Sequence, residues 1–286
     1  MKRISVLLTF FLSVPVYSDP NFEVTRQNGI EFAKPDGIPL LLDLHLPRGV
    51  ENPPLIMWIH GGGWKGGSRT GNKMAWVAKY GYAMASIEYR LSQEAIFPAQ
   101  IHDCKGAVRW LRANAAKYSY NADKIVVGGS SAGGHLVALM GTSADVVELE
   151  GSTAGNADQS SRVQAVVDYY GPTDFVVRSK NQPAKTEQEG GGVFHLLGGK
   201  ATENIELAKL ASPITHISKD DPPFLILHGA KDKVVYLDQS ELFHAAYEKA
   251  GLKSRLMINP KGAHGWKPMM DQERTAILDI LKSTFK

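Results

Sequence analysis

The sequence predicts an α/β protein, with a mostly parallel central sheet, helices on both faces, and one domain behind a short leader. Three observations carry this reading. Short apolar runs of strand length alternate with helical patterns along the chain, and no internal repeat or low-complexity linker divides it. The 286 residues are 43% hydrophobic and 21% charged, the composition of a globular protein large enough for one sizeable core. The charge balance, 32 Lys and Arg against 29 Asp and Glu, is only +3. It lacks the cationic stripe of a nucleic-acid binder, so nucleic acid is not an expected partner.

The leader comes first. Met1-Lys2-Arg3 is cationic, Ile4 to Val16 is apolar, and Val16-Tyr17-Ser18 sets small residues at the −3 and −1 positions of a cleavage site. This is the pattern of a secretory signal peptide over 1–18, with the cut after Ser18 and the domain over 19–286 delivered to the periplasm or beyond. The apolar run is about 13 residues, short of the roughly 20 that span a bilayer, and Pro15 interrupts it. No stable membrane anchor is therefore expected. Cys104 is the single cysteine, so an internal disulfide is not available.

Strands are predicted at Leu40–Leu46, Leu55–Ile59, Ala83–Tyr89, Ile125–Val127, Val163–Tyr169, Phe224–Leu227 and Ser254–Ile258. Helices lie between them. After Pro98, the apolar residues Ile101, Cys104, Val108, Leu111 and Ala115 recur at three- and four-residue spacing and give one buried stripe. Further helices are predicted at about Gln239–Lys249 and Met270–Phe285. Two stretches, Thr142–Arg162 and Val176–Ala208, are rich in Gly, Ser, Asn and Gln and read as long irregular insertions; connections of that length usually cover a site or move.

Chemistry concentrates at four places. Gly129-Ser130-Ser131-Ala132-Gly133 follows the strand Ile125–Val127 and precedes a helical pattern, the context of a nucleophile elbow. Its flanking glycines permit a sharp turn that lifts the Ser131 hydroxyl clear of the sheet. Ser130 fails as the centre of the motif, because Ala132 stands where its second glycine would be. The second place, His60-Gly61-Gly62-Gly63-Trp64, follows the strand Leu55–Ile59. A glycine run frees backbone N–H groups to face developing negative charge, so Gly62 and Gly63 are assigned as oxyanion donors together with the N–H of Ala132. No Gly-Lys-Ser/Thr ending follows, which argues against a phosphate cradle. His60 reads as a residue that braces its own turn.

The remaining two places supply a base and an acid. His264 lies in the glycine-containing loop Lys261 to Trp266, late in the chain and between a strand and a helix. The order Ser, Asp, His is that of triads in α/β-hydrolases, so the base is expected late. His228 would leave no acid at a comparable strand terminus between itself and Ser131, His195 and His216 fall in or near an insertion, and His244 reads as a helix-surface residue. The strand Phe224–Leu227 delivers Asp232 to the loop that should carry the acid, where a carboxylate orients the imidazole. Asp238 is the fallback but more naturally caps the next helix; Asp220 and Asp221 precede the strand, at the wrong end of the sheet.

These residues sit within longer segments: Leu42–Pro47, His60–Trp64, Ala85–Leu91, Phe97–Asp103, Gly129–Leu136, Tyr170–Phe175, Ala211–Pro213, Pro222–Asp232 and Gly262–Gly265. Through them the chain resembles the α/β-hydrolases of the esterase/lipase superfamily, and more narrowly the bifunctional acetylxylan and feruloyl esterase group labelled BD-FAE. The resemblance implies an α/β-hydrolase fold and carboxylic ester hydrolysis by Ser131, Asp232 and His264 without a cofactor. At its most specific it implies acetyl or feruloyl esters of plant polysaccharides such as xylan, so that the partner is a small-molecule or oligosaccharide ester. Val176–Ala208 is where departure from relatives is expected.

Asp103 and Arg109, on the helix after Pro98, read as a helix charge pair or a sheet-docking salt bridge and not as catalytic groups. His135, one turn past Ser131, is expected beneath the site. Trp64 and Trp266 flank the oxyanion and base loops and are assigned as substrate-binding walls, with packing into the core as the other reading. Asp174 is at the rim without a triad position. No H-E-x-x-H or Cys/His cluster suggests a metal. A kynurenine formamidase-type amidase has a similar His-Gly-Gly-x-Trp loop, but its substrate is cytoplasmic and the leader points outward. A prolyl-oligopeptidase-type peptidase needs a propeller for which the chain has no room. From a different class, a non-catalytic binding protein on the same fold is disfavoured because every triad and oxyanion position is filled.

Overall fold

The computed structural model describes residues 22–265 and 271–286; the leader over 1–18 and Trp266 lie outside the described residues. The strands are β1 (Val24–Ala33), β2 (Leu40–Pro47), β3 (Pro54–Ile59), β4 (Ala83–Ile87), β5 (Asn121–Ser130), β6 (Ala165–Tyr169), β7 (Phe224–Gly229) and β8 (Ser254–Asn259). They form one sheet in the order β1-β2-β4-β3-β5-β6-β7-β8. β1–β2 and β2–β4 pair antiparallel, and every pair from β4–β3 to β7–β8 is parallel. This is the α/β-hydrolase fold expected from the sequence.

The central strands are buried on both faces because helices cover both sides. Alternation along β3 shows it: Leu55, Met57 and Ile59 enter one core, while Ile56 and Trp58 enter the other. The first core packs against α1 (Ala99–Ala113) and the helix that follows β5, whose residues Ile101, Cys104, Val108, Leu111, Leu136 and Leu139 are all fully buried. At roughly 1.5–3 kcal/mol for each large apolar side chain, these contacts dominate the stability of this face. A short helix, α2 (Ala115–Tyr118), continues α1, and α3 (Ala132–Thr142) follows β5. On the far face Ile277 and Leu281 of the closing helix fill the second core.

β1 was not expected. Its residues are mostly exposed, with only Phe32 buried, so it shows neither an apolar run nor clean alternation. It exists because β2 offers a partner edge.

The second correction concerns the insertions. Val176–Ala208 is not irregular: it carries α4 (Phe175–Asn181), α5 (Pro183–Thr186), α6 (Gly192–Leu197) and α7 (Ile205–Leu210). Each is too short for a 3.6-residue period to emerge from the sequence. Asp174 begins the series by capping α4, its Oδ1 accepting the N–H groups of Val176 and Val177 at 2.9 Å. The segment is docked, with Lys65 Nζ donating to Gly190 O at 3.3 Å and Phe97 N–H to Leu196 O at 2.8 Å.

Asp103 and Arg109 are structural, but they do not pair with each other. Asp103 instead binds Arg90, accepting from Nε at 2.9 Å and Nη2 at 2.8 Å. Arg109 turns to the insertion after α3, where it donates to the carbonyls of Glu150, Gly151, Thr153 and Gly155 and to the Glu150 carboxylate. A guanidinium has enough donors to tie down a loop that has almost no regular structure of its own. α8 (Asp238–Lys249) and α9 (Asp271–Phe285) complete the molecule.

Candidate active site

β5 ends at Ser130 and α3 begins at Ala132, so Ser131 alone makes the turn between them, at φ 56° and ψ −117°. A side chain in that region costs about 1–3 kcal/mol, and the surrounding packing over-determines it. The glycines of the motif have a visible reason. A Cβ at Gly129 would lie 2.3 Å from the Gly133 carbonyl oxygen, and one at Gly133 would lie 2.2 Å from that of Ile59. Ser131 N–H donates to Tyr169 O at 2.8 Å, and Ser131 O accepts from His135 N–H at 2.9 Å.

Ser131 Oγ and His264 Nε2 are 3.0 Å apart, and His264 Nδ1 and Asp232 Oδ2 are 2.7 Å apart. The structure therefore brings together the three side chains singled out from the sequence. The loops that carry acid and base are joined by backbone: Ala230 N–H donates to Asn259 O at 2.9 Å and Lys231 N–H to Gly262 O at 2.8 Å. They approach so closely that a Cβ at Gly229 would sit 2.6 Å from the Gly262 carbonyl.

Asp232 is buried and held on both oxygens. Its Oδ1 accepts the N–H groups of Val234 at 2.8 Å and Val235 at 3.0 Å. His228 Nε2 faces Oδ2 at 3.4 Å while donating to Val235 O at 2.9 Å, and its Nδ1 accepts from the Ser240 hydroxyl at 2.7 Å. Burial pushes the carboxyl up, but hydrogen bonds from His228, His264 and Val235 outweigh that and hold it well below the usual carboxylate range. It is thus an anion available to orient an imidazole. His228 was considered from the sequence only as a rival base; its position as a buttress of the acid was missed. Asp238 has another partner, Asn181 Nδ2 at 2.6 Å, and Asp221 caps its own turn at Ser218.

The glycine loop lies against the elbow, where a Cβ at Gly61 would be 2.6 Å from Ser130 O and 3.3 Å from Ser131 Cβ. Gly62, Gly63 and Trp64 all have positive φ, at 118°, 63° and 59°. That run turns the peptide planes away from ordinary pairing. Among the described residues, none of the N–H groups of Gly62, Gly63 and Ala132 donates to a protein acceptor. They can receive an oxygen from a ligand. His60 stands outside the relay: its Nδ1 donates to Gly61 O at 2.7 Å, it stacks on Tyr89 at 4.5 Å, and burial lowers its basicity.

Trp64 needs a correction. It is only 3% exposed and belongs to the main core, so it does not form an open substrate wall. Its Nε1–H donates to His135 Nδ1 at 3.2 Å, and His135 Nε2 donates to Ala211 O at 2.7 Å. The tryptophan ring meets His135 and Phe175 edge-on at 5.2 and 5.7 Å. Trp64 thereby locks the glycine loop to the helix behind Ser131. Burial lowers His135 to about 4, so it remains neutral and keeps one acceptor nitrogen for Trp64. Two further residues at the site, Tyr170 and Lys73, gave no separate signal; Tyr170 was visible only as the first residue of the Tyr-Gly-Pro-Thr-Asp-Phe segment. Among the described residues no group of three or more His, Cys, Asp or Glu is arranged to hold a metal ion.

A serine hydroxyl, a hydrogen-bonded imidazole, a buried carboxylate and undonated amides around one point are the parts required for acyl transfer. Comparison with known proteins agrees with that chemistry. The BD-FAE family profile matches residues 42–247. Esterase LipC of Mycobacterium tuberculosis is 32% identical over 229 residues, covering 78% of this chain and 55% of LipC. The chain spans about half the length of the curated relatives it matches. Among solved structures, a bifunctional GH43-CE protein of Bacteroides eggerthii superposes with a TM-score of 0.81 at 32% identity, over 91% of this chain and 35% of that one. A truncated carbohydrate esterase from gut microbiota superposes with a TM-score of 0.80 at 31% identity, over 95% and 99%.

Proposed function

The chain belongs to the BD-FAE family of α/β-hydrolases, and from that premise we propose that it is an exported serine carboxylesterase. The observation that carries the proposal is the unbroken contact from Ser131 Oγ through His264 to Asp232, at 3.0 and 2.7 Å. In this reading His264 Nε2 takes the Ser131 proton as Oγ attacks the ester carbonyl. The N–H groups of Gly62, Gly63 and Ala132 hold the oxyanion, and Asp232 stabilises the imidazolium. Collapse expels the alcohol, protonated by His264. Water then repeats the sequence on the acyl-enzyme, releasing the acid and restoring Ser131.

The substrates we propose are acetyl or feruloyl esters of plant polysaccharides such as xylan. The likeness to two carbohydrate-esterase structures over nearly the whole chain supports this choice. A generic short-chain carboxylesterase is the second reading, favoured by the likeness to LipC. Export rests on the leader pattern and places the mature start at Asp19.

The test is hydrolysis of 4-nitrophenyl acetate, followed by release of acetate or ferulate from xylan fragments. The wild type should turn over the chromogenic ester, and Ser131→Ala should be slower by about 10⁴-fold or more. No wild-type turnover, or a Ser131→Ala variant that retains it, rejects the enzyme. Turnover of simple esters alone leaves the esterase and removes the polysaccharide. N-terminal sequencing of the exported protein checks the cut.

A further inference from the structure

Backbone bonds to the acid loop anchor the chain just before His264, where Gly262 O receives the Lys231 N–H at 2.8 Å. Just after it the anchor comes from across the site. Lys73 Nζ donates to the Gly265 carbonyl at 3.2 Å and to the Tyr170 hydroxyl. Lys73 lies downstream of the glycine loop, on the stretch between β3 and β4. Tyr170 follows β6 at φ 47°, and its N–H donates to Leu227 O at 2.9 Å. Its ring meets the His264 imidazole edge-on, with centroids 4.7 Å apart, and its hydroxyl also meets the Ser130 side chain. Burial raises the Tyr170 phenol well above its ordinary range, so the oxygen stays protonated and accepts from Lys73.

Gly265 stands next to His264 on the base loop. It has φ +105°, and a Cβ there would meet no described atom within 4 Å. The contact it must preserve is the 3.0 Å reach from Nε2 to Ser131 Oγ. We propose that Lys73 and Tyr170 are positioning residues for the ester hydrolysis above: Lys73 ties the Gly265 carbonyl to Tyr170, and the Tyr170 ring sets the plane of the imidazole. This rests on the triad reading. It joins the segment after the glycine loop, the turn after β6 and the base loop through one ammonium, so the parts of the site keep their mutual distances.

The experiment compares kcat and KM on 4-nitrophenyl acetate for the wild type, Lys73→Met, Lys73→Arg, Tyr170→Phe and the Lys73→Met/Tyr170→Phe double variant. Lys73 is an exposed residue and Tyr170→Phe keeps the ring, so folding is retained, and thermal melting checks this. Each of Lys73→Met and Tyr170→Phe should lower kcat about tenfold with KM within about twofold. The double variant should be no slower than the worse single one, because both break the same link. Lys73→Arg should recover most of the loss. Wild-type kcat in Lys73→Met, losses that multiply in the double variant, or a change confined to KM would each overturn the proposal. Failure of the triad reading shows elsewhere, in an inactive wild type or an active Ser131→Ala.

Discussion

The imidazole Nε2 of His264 lies 3.0 Å from the hydroxyl of Ser131, although 133 residues separate them along the chain. Parallel pairing explains the meeting. β5, β6, β7 and β8 are consecutive neighbours pointing the same way, so the loops that leave β5, β7 and β8 emerge at one rim of the sheet. The carboxyl ends of those strands deliver Ser131, Asp232 and His264 in turn.

Asp232 lies on the connection from β7 to α8 and Asp238 begins α8, and they should respond differently to loss of charge. Asp232→Asn is expected to lower kcat on 4-nitrophenyl acetate by about 10⁴-fold, since the amide cannot favour the required tautomer or stabilise the imidazolium. Asp238→Asn should stay close to the wild type, because that carboxylate is engaged with Asn181. The reverse pattern would move the acid to Asp238.

Gly133→Ala tests the elbow as a packing problem. The new methyl would lie 2.2 Å from Ile59 O and 2.6 Å from His60 O, both backbone atoms that shift only with the strand and the glycine loop. A loss on the order of 3 kcal/mol or more is expected in urea unfolding. Gly190→Ala is the control: its Cβ would meet nothing within 4 Å, and the change should stay within about 0.5 kcal/mol. Equal stability for the two variants would contradict the close approach.

Asp168 links stability to pH. It is fully buried on β6, its Oδ1 accepts the Gly171 N–H at 2.8 Å, and its Oδ2 has no hydrogen-bond partner among the described residues. Burial raises it from 3.8 to about 6, against the opposing effects of the Gly171 N–H and His228. The folded state therefore keeps its proton where the unfolded chain has lost it, so this group removes stability as pH rises from about 4 to about 6. Asp168→Asn keeps an acceptor for Gly171 and carries no charge. Its stability relative to the wild type should improve by about 2 kcal/mol between pH 4.5 and pH 8, read from urea midpoints at each pH. A difference that does not change with pH would show that Asp168 titrates normally.

The features readable from the sequence share one property: each is local. The turn around Ser131 needs glycines four residues apart, the loop after β3 shows its consecutive glycines directly, and the strands β3 and β7 carry apolar runs because both their faces are covered. β1 was missed because a solvated edge strand carries little apolar pattern, and the helices of Val176–Ala208 because six or seven residues hold fewer than two full turns. Trp64 could not be decided between wall and core for a different reason: an aromatic beside a glycine loop looks the same in sequence whether it faces a ligand or a buried histidine.

Residue types and their short spacings were thus enough to single out Ser131, His264 and Asp232, which the structure brings into contact, and the class of fold, since backbone strain and hydrophobic period act within a few residues. The choice of partner for each supporting side chain came from packing alone: Arg90 for Asp103, the insertion carbonyls for Arg109, His228 beside Asp232, Lys73 against Gly265. A long polar side chain reaches many candidates at similar energy. Its partner is settled by which of them the assembled sheet and helices bring within 3 to 4 Å after water has been excluded.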